Sequence, residues 1–251
     1  MATELHTHGR FVWHDLVSYE RTRSVDFFTK LIGWTTHGDA NGEYVHFLNE
    51  GKNLAGAPKR EKDAHTPPHW LGYVTVEDVA ATAERVKKMG GQVFAGPMHI
   101  EKVGTFAVIA DPTGGVIAAF RQDAAESPET DGPPGGGTFC WNELASTDPA
   151  KAAAFYGEVF GWSWDEMDMG PMGTYRLAKR NGKQVAGLMK TMVPGHSYWL
   201  NYIAVADVDA KTKEAEALGG KVVTPPMDIP KVGRFSVLQD PTGVHFALFR
   251  G

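Results

Sequence analysis

Asp15 and Glu143 lie in stretches that otherwise read as apolar strands, Trp13-His14-Asp15-Leu16 and Trp141-Asn142-Glu143-Leu144. An acid in such a setting is costly to bury without a partner. Each is therefore expected either to hydrogen-bond a neighbouring backbone group or tyrosine, or to act as a functional carboxylate. His245 supplies a group that titrates near neutrality, and a carboxylate can orient an imidazole. Glu143 and His245 are thus the candidate catalytic couple, with Tyr202 as another partner for His245; a merely hydrogen-bonded or exposed histidine is the alternative. His46, His69, His99 and His196 have no paired spacing such as H-x-x-x-H or H-x-E, so as ligands they are weak candidates, and most of them read as surface residues. The His6-x-His8 doublet could take up a transition metal adventitiously, with no function attached.

The segments that carry these residues recur. Trp13 returns as Trp141, Phe27-Phe28 with Gly33-Trp34 as Phe155-Tyr156 with Gly161-Trp162, and His69-Trp70-Leu71-Gly72-Tyr73 as Tyr198-Trp199-Leu200-Asn201-Tyr202. Lys102-Val103-Gly104 through Asp111-Pro112-Thr113-Gly114 returns as Lys231-Val232-Gly233 through Asp240-Pro241-Thr242-Gly243. A repeat this long marks a duplicated structural unit. Gln122 to Gly137 is polar, acidic and rich in Pro and Gly, the composition of a linker. The expected organisation is a first domain over 1–121, a linker over 122–137 and a second domain over 138–251.

Within the first copy, a strand over Phe11 to Ser18 leads into a helix over about Arg21 to Leu31, then extended runs over Tyr44 to Leu48 and Asn53 to Ala57. A second strand, Trp70 to Val76, leads into a helix over Val79 to Met89 closed by Gly90-Gly91, and short strands follow to Arg121. Each copy is therefore two βαβββ-like units in an α+β fold. The Asp-Pro-Thr-Gly segments read as turn chemistry, Pro presetting φ and Gly supplying a positive one.

Bulk properties narrow the partners. The chain has 251 residues, 42% hydrophobic, with a net charge of −5. Its Lys and Arg are scattered, which argues against nucleic acid or anionic lipid. Cys140 is the single cysteine, so the fold does not depend on a disulfide. There is no apolar signal region near the start and no stretch of membrane-spanning length. A cytoplasmic protein with a small-molecule partner is expected, and tandem duplication leans toward a monomer.

The strand-helix units ending in F-[FY]-x-x-[LV]-[IF]-G-W, the Gly-Gly after the second helix and the D-P-T-G turn resemble the vicinal oxygen chelate superfamily of glyoxalases, bleomycin-resistance proteins and extradiol dioxygenases. The resemblance covers nearly the whole chain, twice. It implies curled sheets around a cavity with helices outside, and one divalent metal held by donors from the first and fourth strand of each unit. Carried onto this chain, those positions fall on Trp13, Leu71, Trp141 and Leu200, and on Gly56, Ala118, Gly187 and Ala247, none of which offers a donor side chain. The expected cofactor is therefore none. A one-residue slip would substitute His14 for Trp13 and allow a divalent metal, but would turn Leu16 into the cavity.

What remains in the expected cavities is aromatic: Trp13, Asp15, Leu71, Tyr73, Thr75, Val116 and Phe120 in the first copy, and Trp141, Glu143, Leu200, Tyr202, Ala204, His245 and Phe249 in the second. The ligand-binding candidates are Trp13, Asp15, Tyr73, Trp141, Glu143, Tyr202 and His245, with core packing as the alternative role for the tryptophans. Apolar walls with a few placed polar groups suit a small aromatic or hydrophobic ligand. The second copy, richer in polar groups, is the better place for chemistry. The expected function is metal-independent binding. The alternative is a lyase, isomerase or hydroxylase of the same superfamily, using a non-standard metal site or metal-free acid/base catalysis.

Overall fold

The structure, a computed structural model, describes residues 8–38, 42–61, 66–124, 135–170 and 173–251. Its first eight strands are β1 (Phe11–Val17), β2 (Thr35–His37), β3 (Tyr44–Asn49), β4 (Lys52–Pro58), β5 (His69–Thr75), β6 (Gln92–Ile100), β7 (Gly104–Ala110) and β8 (Val116–Gln122). Helix α1 (Arg21–Ile32) follows β1, and α2 (Val79–Lys88) follows β5. The second half repeats the order as β9 (Phe139–Ser146), α3 (Pro149–Phe160), β10 (Ser163–Asp168), β11 (Thr174–Arg180) and β12 (Lys183–Lys190). It continues through β13 (Tyr198–Ala204), α4 (Val208–Ala217), β14 (Lys221–Ile229), β15 (Gly233–Gln239) and β16 (His245–Arg250). The two βαβββ units expected per half are all present, and β2 is the short strand that periodicity did not reveal.

Each half forms one eight-stranded mixed sheet, in the orders β2-β3-β4-β1-β5-β8-β7-β6 and β10-β11-β12-β9-β13-β16-β15-β14. Parallel pairing joins β1 to β4, β5 to β8, β9 to β12 and β13 to β16. The helices form for local reasons. Asp78, Asp148 and Asp207 each accept a backbone N–H of the first turn, at 3.0 Å, as N-caps. Gly33 and Gly161 end α1 and α3 in the left-handed conformation, with φ of 90° and 68°.

Packing gathers the described residues into two compact units: those within Met1–Val12, Gly72–Asp131 and Asn142–Trp199, and those within Trp13–Leu71, Gly132–Trp141 and Leu200–Gly251. In the first, α2 packs with α3, and Phe155, Tyr156, Phe160, Trp162 and Trp199 share a core with Val74, Ile109 and Ile117. The Trp162 indole donates to the Gly9 carbonyl at 2.8 Å. In the second, α1 packs with α4, and Leu16, Phe27, Phe28, Trp34 and Trp70 share a core with Ile203, Leu238 and Phe246. The Trp34 indole donates to the Gly137 carbonyl at 2.7 Å. Of the expected linker, Gln122 closes β8 and Gly137 is held by Trp34, while 125–134 lie outside the described residues.

The Asp-Pro-Thr-Gly turns do more than reverse the chain. Asp111 is buried and accepts from Thr113 through one oxygen, while its other oxygen accepts the Tyr156 hydroxyl at 2.9 Å. The turn thereby fastens α3. At the second turn a pair of hydroxyls takes this role, Thr242 with Ser24 at 2.8 Å.

Candidate functional site

On β1, Leu16 enters the core beside Phe27 and Phe28, so Trp13 and Asp15 occupy the opposite face of the strand. His14 is buried against Phe139, with ring centroids 3.9 Å apart. Asp15 is only 5% exposed, which makes its partners decisive. Its Oδ1 accepts the Tyr44 hydroxyl at 2.5 Å and the Trp13 indole N–H at 3.0 Å, and that indole also lies 2.9 Å from the Tyr44 oxygen. Burial, then the Asp15 charge and the bond to Asp15, push the Tyr44 phenol well above its ordinary range, the Trp13 bond opposing. Tyr44 therefore stays protonated and serves as a donor.

The register explains how these groups meet. Asp15 stands abreast of Gly56 across β1 and β4, and Gly56 stands abreast of His46 across β4 and β3. Residues abreast share a face, so Asp15, Gly56 and His46 form one row, with Tyr44 two residues along β3. The phenol lies over the glycine: a Cβ added at Gly56 would fall 1.7 Å from the Tyr44 oxygen. His46 packs edge-on to Tyr44 and Trp13, at centroid separations of 4.8 Å and 6.2 Å, and its Nδ1 is buried without a hydrogen-bond partner among the described residues. His46 is thus half-buried, unlike the surface position expected of most of the unpaired histidines.

The second half repeats the acid and phenol. Glu143 stands abreast of Gly187 in the parallel β9/β12 pair, and its Oε2 accepts the Tyr175 hydroxyl at 2.8 Å. Tyr198, at the start of β13, is raised by burial and then by the Glu143 charge. The Trp141 position lies two residues before Glu143 on the same strand.

The other expected residues fall in aromatic patches. Tyr73 packs with Phe106 and Phe120, at 6.2 Å and 5.9 Å. Tyr202, buried, packs with Phe235 and Phe249. Thr75 is taken up by the chain itself, accepting the Arg10 N–H at 3.1 Å. His245 lies exposed at the start of β16, its Nε2 2.9 Å from the Gln239 amide across the β15/β16 ladder. Partial desolvation of the ring lowers its pKa, with Asp240 opposing and Lys221 reinforcing. The bonds described for Glu143 and His245 thus run to Tyr175 and Gln239, not to each other.

Sequence reading missed Tyr44, Tyr175, Tyr198 and His46. The repeat could have shown the first two, but its offset grows from 128 between Trp34 and Trp162 to 131 between Tyr44 and Tyr175, which hides the match.

The metal expected from the resemblance can be tested against these residues. Gly56 offers no donor and Tyr44 fills the space where one would stand; Ala118, abreast of Tyr73, offers a methyl group. Among the described residues no three His, Cys, Asp or Glu side chains gather in a way that could hold an ion. The donor set does not fit the superfamily's metal.

Comparison with known proteins decides the family. The profile of the Glyoxalase/Bleomycin resistance protein/Dioxygenase superfamily matches residues 18–119 and 141–248. The chain belongs to that superfamily. It is 34% identical over 249 residues to the Mycobacterium tuberculosis protein named "Putative glyoxylase CFP32", covering 95% of this chain and 93% of that one. It is 33% identical over 261 residues to "Anthracycline biosynthesis protein DnrV" of Streptomyces peucetius, covering 96% and 92%. Among solved structures, the 2,3-dioxygenase LapB of Pseudomonas sp. KL28 aligns with a TM-score of 0.65 at 12% identity, covering 98% of this chain and 93% of that one. The Mn(II)-bound glyoxalase of Novosphingobium aromaticivorans aligns at 0.64 and 15% identity, covering 97% and 82%. At such identities these two likenesses speak to fold alone. No helix among the described residues is long and apolar enough to cross a membrane.

Proposed function

We propose that this superfamily member binds a small aromatic or hydrophobic molecule on the sheet faces that carry its acid–phenol pairs, and does so without the superfamily's metal. The observation that carries this reading is the Tyr44 phenol lying over Gly56 and bonded to Asp15, which puts a neutral donor and a carboxylate where a metal ligand would stand. The aromatic side chains at Trp13, Tyr73, Trp141 and Tyr202 suit a flat apolar ligand, with Asp15 and Glu143 to orient its polar groups. The relative named for anthracycline biosynthesis supports an aromatic ligand and suggests the probe.

The test is a titration with daunorubicin, an anthracycline, followed by tryptophan quenching in EDTA and again in Mn²⁺. Saturable binding that is equal in both and weakened by Trp13→Ala supports the reading. Binding that requires the metal, or no saturable binding, contradicts it.

A second reading is an enzyme of lyase or isomerase type that works through protein acids and bases. It is favoured by Glu143, half-buried and held by Tyr175, by His245, held toward its neutral form, and by the relative named as a glyoxylase. Turnover of a 2-oxoaldehyde–thiol adduct that survives unchanged in Glu143→Ala and His245→Ala would remove it.

A further inference from the structure

We infer that His46 is the specificity-determining residue of the first half, its Nδ1 accepting or donating a hydrogen bond to a hydroxyl group on a bound aromatic molecule. The inference rests on the binding reading above and goes beyond it by naming the ligand's polar group and the residue that reads it.

Position is the first support. His46 shares a row with Asp15 and Gly56, on the face that also carries Tyr44. Because Gly56 has no side chain, the imidazole and the carboxylate flank a gap that the Tyr44 phenol enters.

The state of the ring is the second. Its Nδ1 is buried with no partner among the described residues, whereas Asp15 holds two donors and Tyr44 is itself bonded. A buried polar atom left unmade carries a desolvation cost that a ligand supplying the missing bond recovers. The rings packed on His46 are Trp13 and Tyr44, and both are half-buried, so a flat ligand can lie against their exposed edges beside the imidazole. A phenol satisfies both requirements, since its ring lies against the indole and its oxygen meets Nδ1.

The duplicated half is the third. There the row abreast of Gly187 holds Glu143 and Leu177, so the position of His46 is occupied by an apolar side chain. Both halves carry a carboxylate bonded to a phenol, and in the row beside it they differ at the reading position. The first takes a hydroxylated aromatic in preference, and the second makes no such distinction.

Equilibrium dialysis of 2-naphthol and of naphthalene against the full chain, wild type and His46→Leu, tests this directly. His46→Leu copies the residue that the second half tolerates and removes an unpaired nitrogen, so its melting temperature should not fall. The wild type should hold 2-naphthol about tenfold more tightly than naphthalene at one site per chain, the size of one recovered hydrogen bond, and His46→Leu should lose that preference while still binding both. A preference that survives in His46→Leu, or equal binding in the wild type, overturns the role of His46 and leaves the binding reading standing. Failure of the wild type to bind either probe overturns both.

Discussion

The Tyr44 hydroxyl occupies the volume that a side chain at Gly56 would need, and from there donates to Asp15 at 2.5 Å. Glycine at 56 and tyrosine at 44 are therefore one structural decision. Gly56→Ala should destabilise the protein by about 1–3 kcal/mol, the usual cost of forcing atoms into a filled site, because the phenol must leave both Asp15 and Trp13. In a Tyr44→Ala background the same change should cost much less. Urea denaturation of the two single variants and the double variant measures the coupling.

Tyr44→Phe keeps the ring over Gly56 and deletes the donor to a nearly buried carboxylate. A loss of about 1–3 kcal/mol is expected, the range for leaving a buried charged acceptor short of a partner. Tyr175→Phe, which acts on the half-buried Glu143, should cost less. Chemical denaturation curves for the two variants, compared side by side, check the order.

Tyr156→Phe should destabilise by roughly 1.5–3 kcal/mol, the range for hydrogen bonds to charged groups. The hydroxyl it removes is the donor to buried Asp111 at 2.9 Å and is itself 3.1 Å from the Trp199 indole N–H. The conserved ring volume separates this loss from a packing defect. The corresponding Phe28→Tyr should give no gain, since Thr242 already bonds both oxygens of Asp240, at 2.9 Å and 3.2 Å.

His8 and His69 are both held below their ordinary value of 6.5, in each case chiefly by burial. Glu77 opposes the shift at His8 and the Pro67 carbonyl opposes it at His69. The unfolded chain therefore binds more protons than the folded one as pH falls below about 6.5. Their contribution to stability is complete above that value and declines as pH drops through the folded pKa values. Denaturation midpoints measured from pH 7.5 down to 5 should decline, and His69→Gln should flatten the decline. A midpoint independent of pH in the wild type would contradict this.

The fold was legible because it rests on short-range patterns repeated twice. Phe27, Phe28 and Leu31 mark a helix face, Gly33 and Gly161 its end, and the recurrence of Trp13, Trp34 and Trp70 at Trp141, Trp162 and Trp199 marks the duplication. The strand faces were legible too, since Leu16 against the helix leaves Trp13 and Asp15 on the other side. The grouping of α1 with α4 and α2 with α3 was not, because every helix presents the same kind of apolar stripe and nothing local says which helix covers it. The partners of Asp15 and Glu143 were half legible. A tyrosine was the right kind of partner, but which one depends on cross-strand register, and the loops between Trp34 and Tyr44 and between Trp162 and Tyr175 differ in length. His46 escaped notice because it has no motif spacing; only its row with Gly56 and Asp15 gives it meaning.

The account stands most directly on the claim that the acid–phenol pairs replace a metal. Elemental analysis of untagged protein purified without chelators, then incubated with Mn²⁺, Fe²⁺, Ni²⁺ and Zn²⁺ and desalted, tests it. Substoichiometric metal in every case, with daunorubicin binding unchanged, is the predicted result. One tightly held ion per half that is lost in Asp15→Asn or Glu143→Gln would contradict it and return the chain to the metal chemistry of its superfamily.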